Sequence, residues 1–190
     1  SDQNLNQLLK QVSQKMVDVD GVIISDYNKG VCTELIVNDI ITKAKKVKIP
    51  VFIDPKGKNW NKYFGASVIT PNLREAEDAL GKMLKSDEDV EEAGMEICTN
   101  LGLNACLITR GSNGMSYISK DYKLHVCSEA KEIYDVSGAG DTVIASFASG
   151  MIAGLSPETV TRFANKAAGI VVGHIGTTAI TISELKEDSN

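Results

Sequence analysis

The feature that most constrains this chain is a rhythm of short, wholly apolar runs separated by stretches with helical spacing. Gly21-Val-Ile-Ile-Ser25, Pro50-Val-Phe-Ile53, Ala66-Ser-Val-Ile-Thr70 and Ala105-Cys-Leu-Ile-Thr109 carry no polar alternation. Strands of that kind are buried on both faces, as in a parallel sheet covered by helices. Between them, Leu5, Leu8, Leu9, Val12, Met16 and Val19 recur at helical intervals, and Leu35 to Val47 forms a second helical pattern behind a Thr33 cap. Leu73 to Leu80 and Val90 to Leu101, the latter with Ser86 as cap, predict two more helices. Strands alternating with helices mean βαβ units, right-handed crossovers and an α/β sandwich.

The second half changes character. Gly114 to Ile118 and Lys123 to Val126 alternate like antiparallel strands about a turn at Lys120-Asp121. Helical spacing returns from Ala139 through Met151, and again from Pro157, capped by Ser156, to about Val172. With 190 residues and no repeat or linker-like segment, residues 1–185 read as one domain, and Lys186 to Asn190 as a tail or linker.

Charge and composition exclude several roles. A net charge of −5 argues against a nucleic-acid surface, because phosphate backbones demand concentrated Lys and Arg. The basic run Lys43 to Lys48 is a solvated helix end. No apolar run approaches the ~20 residues that span a bilayer. Cys32, Cys98, Cys106 and Cys127 share no Cys-x-x-Cys spacing and read as buried free thiols in a reducing cytoplasm. Trp60 and Tyr63 read as packing residues.

One segment carries chemistry. Asp135-Val-Ser-Gly138-Ala-Gly140-Asp141-Thr lies between a strand pattern and a helix. Two glycines around one small residue let backbone N–H groups turn toward a common point, which the positive end of the following helix also faces. That is a site for an anion, phosphate above all. A carboxylate there would repel a bound phosphate, but it makes sense as the base that deprotonates an attacking hydroxyl, a contribution of roughly 10²–10⁴-fold. The bland alternative is a glycine-rich turn with Asp141 capping a helix. A nicotinamide site fails for want of the third glycine of Gly-x-Gly-x-x-Gly.

Asp135-Val-Ser-Gly-Ala-Gly-Asp141 resembles the C-terminal signature of the ribokinase (PfkB) family, Asp-Thr-x-Gly-Ala-Gly-Asp, with Val136 departing at the second position. Within that family, this form is similar to the D-glycero-β-D-manno-heptose-7-phosphate kinases. Ser25-Asp-Tyr-Asn-Lys-Gly30, Asp54-Pro-Lys-Gly57, Thr70-Pro-Asn-Leu-Arg-Glu75, Ala164-Asn-Lys-Ala-Ala-Gly169 and Gly173-His-Ile-Gly-Thr177 agree with the same subgroup, in order along nearly the whole chain.

The resemblance implies a ribokinase-like three-layer αβα sandwich with a mostly parallel central sheet. Asp141 would be the catalytic base, with Gly138, Ala139 and Gly140 as the anion hole. Asn72 and Glu75 match an Asn-x-x-Glu motif that holds Mg²⁺ and its waters. Thr109, Arg110 and Gly111 would line the nucleotide phosphates and ribose, and Asn165 and Ala168 would lie beside the adenine. Asp135 and Ser137, with carbonyls near His174 to Thr178, resemble a K⁺ site. Lys56, and beside it Lys29, could meet a substrate phosphate as point charges. For Glu75, Asn165 and the two lysines, the residues alone would equally fit ordinary surface or helix positions.

The implied reaction is ATP plus the heptose 7-phosphate giving the 1,7-bisphosphate, a step toward lipopolysaccharide core. Another sugar kinase of the family, or a non-catalytic nucleotide-binding module, are the alternatives. The family's N-terminal portion, with the sugar-binding Gly-Gly motif and the lid, has no counterpart here. The chain therefore reads as part of a kinase domain, with little activity alone and an exposed strand edge that favours self-association. Some relatives add a nucleotidyltransferase domain; no His-x-Gly-His pattern occurs here.

Overall fold

The computed structural model describes residues 2–130 and 134–187. Six strands form one sheet in sequence order: β1 (Val22–Ser25), β2 (Val51–Asp54), β3 (Val68–Ile69), β4 (Ala105–Thr109), β5 (Met115–Ser119) and β6 (Lys123–Val126). β1 to β4 pair in parallel, whereas β5 and β6 add antiparallel. The helices are α1 (Asp2–Lys15), α2 (Glu34–Val47), α3 (Leu73–Leu80), α4 (Asp87–Leu101), α5 (Ala139–Ile152), α6 (Pro157–Val172) and the short α7 (Ile182–Glu187). The apolar run at 66–70 yields only a two-residue strand. α7 takes in the first two residues of the expected tail, and 188–190 lie outside the described residues.

Alternation along the strands divides the core between two faces. Ile53, Ile69, Cys106 and Ile108 point toward α1 to α4, while Phe52, Val68, Leu107 and Tyr117 point toward α5 and α6. The result is three layers, helices over sheet over helices. Thr33, Ser86 and Ser156 cap α2, α4 and α6 through side-chain oxygens that accept backbone N–H groups.

The second face positions the site. Phe147 is fully buried between the rings of Phe52 and Tyr117, with centroids 6.4 and 6.0 Å away. α5 also packs closely on α6: a Cβ at Gly150 would stand 2.8 Å from Val160. This wedge fixes α5, so its first turn opens at the carboxyl ends of β1 and β2.

β1 forms the outer edge of the sheet. Beside it, Leu8, Val12, Val19 and Ile23 line an apolar groove of about 590 Å³, and Val19 and Ile23 are exposed. Among the described residues no helix is long and apolar enough to cross a membrane. All four cysteines are free; Cys98 and Cys106 are buried as expected, but Cys32 is half-buried and Cys127 is exposed. Trp60 and Tyr63 are both buried.

Candidate active site

A cleft of about 600 Å³ runs across the carboxyl ends of β2, β3 and β4 and under the start of α5. Such an edge is where open α/β sheets place their ligands. Of the residues singled out in the sequence, Lys56, Asn72, Glu75, Thr109, Gly111, Ala139, Gly140, Asn165 and Ala168 line it.

Asp141 lies in the first turn of α5 and is exposed. Gly138, the N-cap, has φ +81°, a conformation that favours glycine, and a Cβ there would meet Thr177 at 2.9 Å. The expected trio of amides is not all available. Ala139 N–H donates to the Val136 carbonyl at 3.2 Å. Among the described residues the N–H groups of Gly140 and Asp141 have no acceptor, so these two, at a helix N-terminus, form the anion-attracting point. A Cβ at Gly140 would stand in open space beside the cleft, leaving the backbone accessible to a ligand.

The Asn-x-x-Glu motif has a second use. Asn72 caps α3: its Oδ1 accepts from Glu75 N–H, and Glu75 Oε2 accepts from Asn72 N–H, each at 2.9 Å. This reciprocal capping box fixes the carboxylate. The other oxygen, Oε1, accepts from Lys56 Nζ at 2.6 Å. That hydrogen bond holds the Lys56 ammonium above its ordinary pKa. The glutamate is thus both the ordinary helix carboxylate and a group facing the cleft.

Asp54, at the end of β2, opens the Asp54-Pro-Lys-Gly57 stretch of the resemblance but had no role assigned to it. Burial, followed by the charges of Glu75 and Asp141, pushes its carboxyl up to about 6. Three carboxylates converge here with Lys56 as the cation against Asp54 and Glu75, so this end of the cleft carries surplus negative charge. Among the described residues no group of three or more His, Cys, Asp or Glu is arranged to hold a metal by itself. The oxygen donors and uncompensated charge instead fit Mg²⁺, which keeps several waters and needs few protein ligands.

The opposite end is neutral. Ala168, Gly169, Met115 and Val172 make an apolar wall. Asn165 is buried there, and its Nδ2 donates to the Cys127 carbonyl at 2.8 Å, tying α6 to the segment after β6.

Two expected site residues, Arg110 and Lys29, do not line the cleft, whereas Asp135 keeps its expected neighbours. Arg110 turns away from the cleft: its guanidinium pairs with Asp87 at 2.6 Å and donates to Ser116 Oγ at 3.1 Å, while Thr109 and Gly111 on either side line the cleft. Lys29 is exposed, with Nζ 6.0 Å from the Tyr27 ring centroid. Asp135 Oδ1 accepts from Ser137 N–H at 2.8 Å. The Ser137 hydroxyl and N–H, with the Gly176 N–H, hold this carboxyl below its usual range, so the 135–137 and 174–178 segments do meet.

The base has neighbours the sequence did not announce. Ser25 Oγ donates to Asp141 Oδ1 at 3.2 Å, and Tyr27 OH donates to Oδ2 at 2.9 Å. These contacts join positions 116 and 114 residues apart; the sequence signal was the Ser25-to-Gly30 stretch of the resemblance, to which no role at Asp141 was attached.

A mostly parallel sheet between helical layers, with a glycine-led helix start and a carboxylate at its ligand-binding edge, is the arrangement of the ribokinase-like kinases. Residues 1–184 match the pfkB family carbohydrate kinase domain, and the chain belongs to that family. It is 42% identical over 179 residues to the bifunctional protein HldE of Aeromonas hydrophila, covering 94% of this chain and 37% of that protein. It is 42% identical over 170 residues to bifunctional protein HldE of Acidiphilium cryptum, covering 90% and 35%. The chain thus spans little more than a third of the length of these relatives. Arabidopsis thaliana ribokinase complexed with ribose and ATP superposes with a TM-score of 0.80 at 25% identity, over 95% of this chain and 58% of that one. Phosphofructokinase-2 from Escherichia coli superposes at 0.81 with 18% identity, over 94% and 60%, which shows the shared fold.

Proposed function

We propose that this chain is the nucleotide-binding part of a kinase that transfers the γ-phosphoryl group of ATP to a sugar phosphate. The acceptor is D-glycero-β-D-manno-heptose 7-phosphate and the product its 1,7-bisphosphate, on the way to ADP-heptose and lipopolysaccharide core. The single observation that carries the reading is the Asp141 carboxylate at the start of α5, where the Gly140 and Asp141 amides have no acceptor among the described residues. In this reading Asp141 takes the proton of the acceptor hydroxyl as its oxygen bonds to the γ-phosphorus, and ADP leaves. Gly138 shapes the turn, and the Gly140 and Asp141 amides face the charge that spreads over the transferred group.

The neutral wall at Ala168 takes the adenine, and Thr109 and Gly111 flank the ribose and phosphates. Glu75 and Asp54, with Asn72 nearby, would hold Mg²⁺ through water, and the ion supplies charge neutralisation on the phosphates when bound. Asp135 and Ser137 flank the place for a K⁺ ion. Lys56 is the natural counter-charge for the acceptor's phosphate, since its side chain is half exposed. The ribose and ATP that Arabidopsis ribokinase holds, and the HldE relatives, support this assignment. A cytoplasmic setting suits the free thiols, and a nucleotidyltransferase domain elsewhere in the same polypeptide belongs to the proposal.

An ADP-release assay on heptose 7-phosphate, fructose 6-phosphate and ribose tests it. Preference for the heptose phosphate by a form of the protein that includes a sugar-binding portion supports the reading; turnover on ribose alone would remove it. The 190-residue chain by itself is expected to bind nucleotide but to turn over slowly, because acceptor and donor must be held in line. The apolar groove beside β1 is expected to drive self-association of this chain, which light scattering across a concentration series would detect.

A further inference from the structure

The segment after β1 has a construction that neither the fold nor the anion site requires. Extended backbone sends alternate side chains to opposite sides. Ser25 and Tyr27 point toward α5 and meet both oxygens of Asp141. Asp26, between them, points inward and is 4% exposed.

Asp26 is the centre of a buried hub. Its carboxylate pairs with Lys62 Nζ, accepts from Tyr63 OH at 2.7 Å, and accepts from Asn28 N–H at 2.7 Å. Burial pushes this carboxyl up, but Lys62, Tyr63 and the Asn28 amide outweigh that and hold it below its usual range. An ionised carboxylate so deeply placed is stable only while all its partners remain, so the segment is pinned in one conformation. Asn28 follows with φ +54°, turning the chain away directly after Tyr27. Tyr63 OH also accepts from Lys56 N–H at 3.1 Å, so the same hub holds the loop that bears Lys56.

The consequence concerns the carboxylate of Asp141. It is exposed on the first turn of a helix, where an unrestrained side chain would sample several rotamers. Two donors on a pinned strand remove that freedom. We infer that Ser25 and Tyr27 are positioning residues for Asp141: a rigid clamp, set by the buried Asp26 hub, that aims the base at the acceptor hydroxyl.

This rests on the reading of Asp141 as the base, and the tests keep the two apart. The first needs no turnover. Around the Tyr27 phenol, the Asp141 hydrogen bond is the largest cause raising its pKa, a hydrogen bond with Ser25 lowers it, and the charges of Asp141 and Asp54 raise it. Lys56 lies within range of its charge, and Lys29 lies over its ring. In Asp141→Asn of the 190-residue chain, the Tyr27 Cζ resonance should shift and the phenol should titrate at lower pH than in the parent. No change in either signal shows that the contact does not exist and overturns the clamp, whatever the protein catalyses.

The second test uses a form of the protein that turns over. Tyr27→Phe, which keeps the ring, should lower kcat about tenfold with KM for ATP unchanged, and Ser25→Ala should do the same less strongly, with Ser25→Thr restoring part of the loss. In the Asp141→Asn background Tyr27→Phe should cost nothing more, because residues that act as a unit are non-additive. An equal loss in both backgrounds, or a loss confined to KM for the acceptor, overturns the positioning role. If Asp141→Asn itself leaves kcat intact, the base assignment falls instead, and with it the purpose inferred for the clamp.

Discussion

The two ends of the cleft are built on opposite principles. At one end Asp54 and Glu75 face the Lys56 ammonium, Asp141 adds its charge beside Asp54, and every carboxylate is oriented by a hydrogen bond or a neighbouring charge. At the other, Ala168, Gly169, Met115 and Val172 offer no charge, and the polar Asn165 is spent on a backbone carbonyl. The difference teaches where each part of a nucleotide can lie. Phosphates and their cations need fixed charge, which is expensive to bury and therefore stays at the mouth. A flat aromatic base needs only a dry wall of the right width.

Four substitutions would break or sharpen this contrast. The largest effect is expected from Asp141→Asn, which should cut turnover by roughly 10²–10⁴-fold while nucleotide affinity is kept. Steady-state kinetics beside calorimetric nucleotide titration would measure both, and retained turnover would dissolve the functional asymmetry. At the neutral end, Ala168→Leu fills the wall and should weaken nucleotide binding by about 10- to 100-fold with thermal stability little changed. An unchanged Kd would move the base elsewhere.

Next in size is Asp54→Asn. The folded chain keeps the Asp54 proton to about pH 6, whereas an ordinary aspartate loses it near 3.8. Between those values the folded state binds more protons than the unfolded one, so this residue's contribution makes stability fall as pH rises. Removing the charge should stabilise the protein at pH 7.5 by about 1–2 kcal/mol, after discount for partial solvation, and flatten urea-midpoint profiles between roughly pH 4 and 6. A destabilised variant would mean the carboxylate is better compensated than its surroundings indicate.

The smallest effect belongs to Glu75→Gln. The amide keeps an acceptor for Asn72 N–H but loses the charge that binds Lys56, and the expected cost is about 0.5–1 kcal/mol. Divalent-cation affinity should fall in the same variant, read by Mn²⁺ paramagnetic relaxation. Unaltered Mn²⁺ binding would leave Glu75 with its capping role alone.

Local features were legible from the chain itself. α3 and α6 have the bounds that spacing predicted, and the Thr33, Ser86 and Ser156 caps accept the amides expected of them, because helix ends are decided within one turn. β2 and β4 were plain because burial on both faces leaves an unbroken apolar run. The glycine-flanked Asp141 was visible for the same reason: the turn and the helix that make it chemical are contiguous.

What spacing could not reveal was which partner each side chain and amide takes, near or far along the chain. Arg110 sits in the expected loop, yet Asp87 and Ser116 draw its side chain to the far side of the strand, which backbone direction alone does not disclose. Ala139 contributes no amide, since the loop folds back on Val136. Ser25, Tyr27 and Asp54 lie in stretches that carried the resemblance, but their contacts with Asp141 arise only when parallel pairing brings the strand ends together under α5.

The amino-acid sequence by itself determined the α/β order and the identity of the carboxylate at the helix start, because periodicity, capping and turn chemistry act over a few residues; the family followed from the resemblance of its motifs. Only the tertiary structure decided which oxygens face the cleft, which amides remain free and what grips Asp141. Those outcomes are set by contacts between separate segments, from the turn-back on Val136 to the grip on Asp141 across more than a hundred residues, where burial and Coulomb forces depend on distance in space.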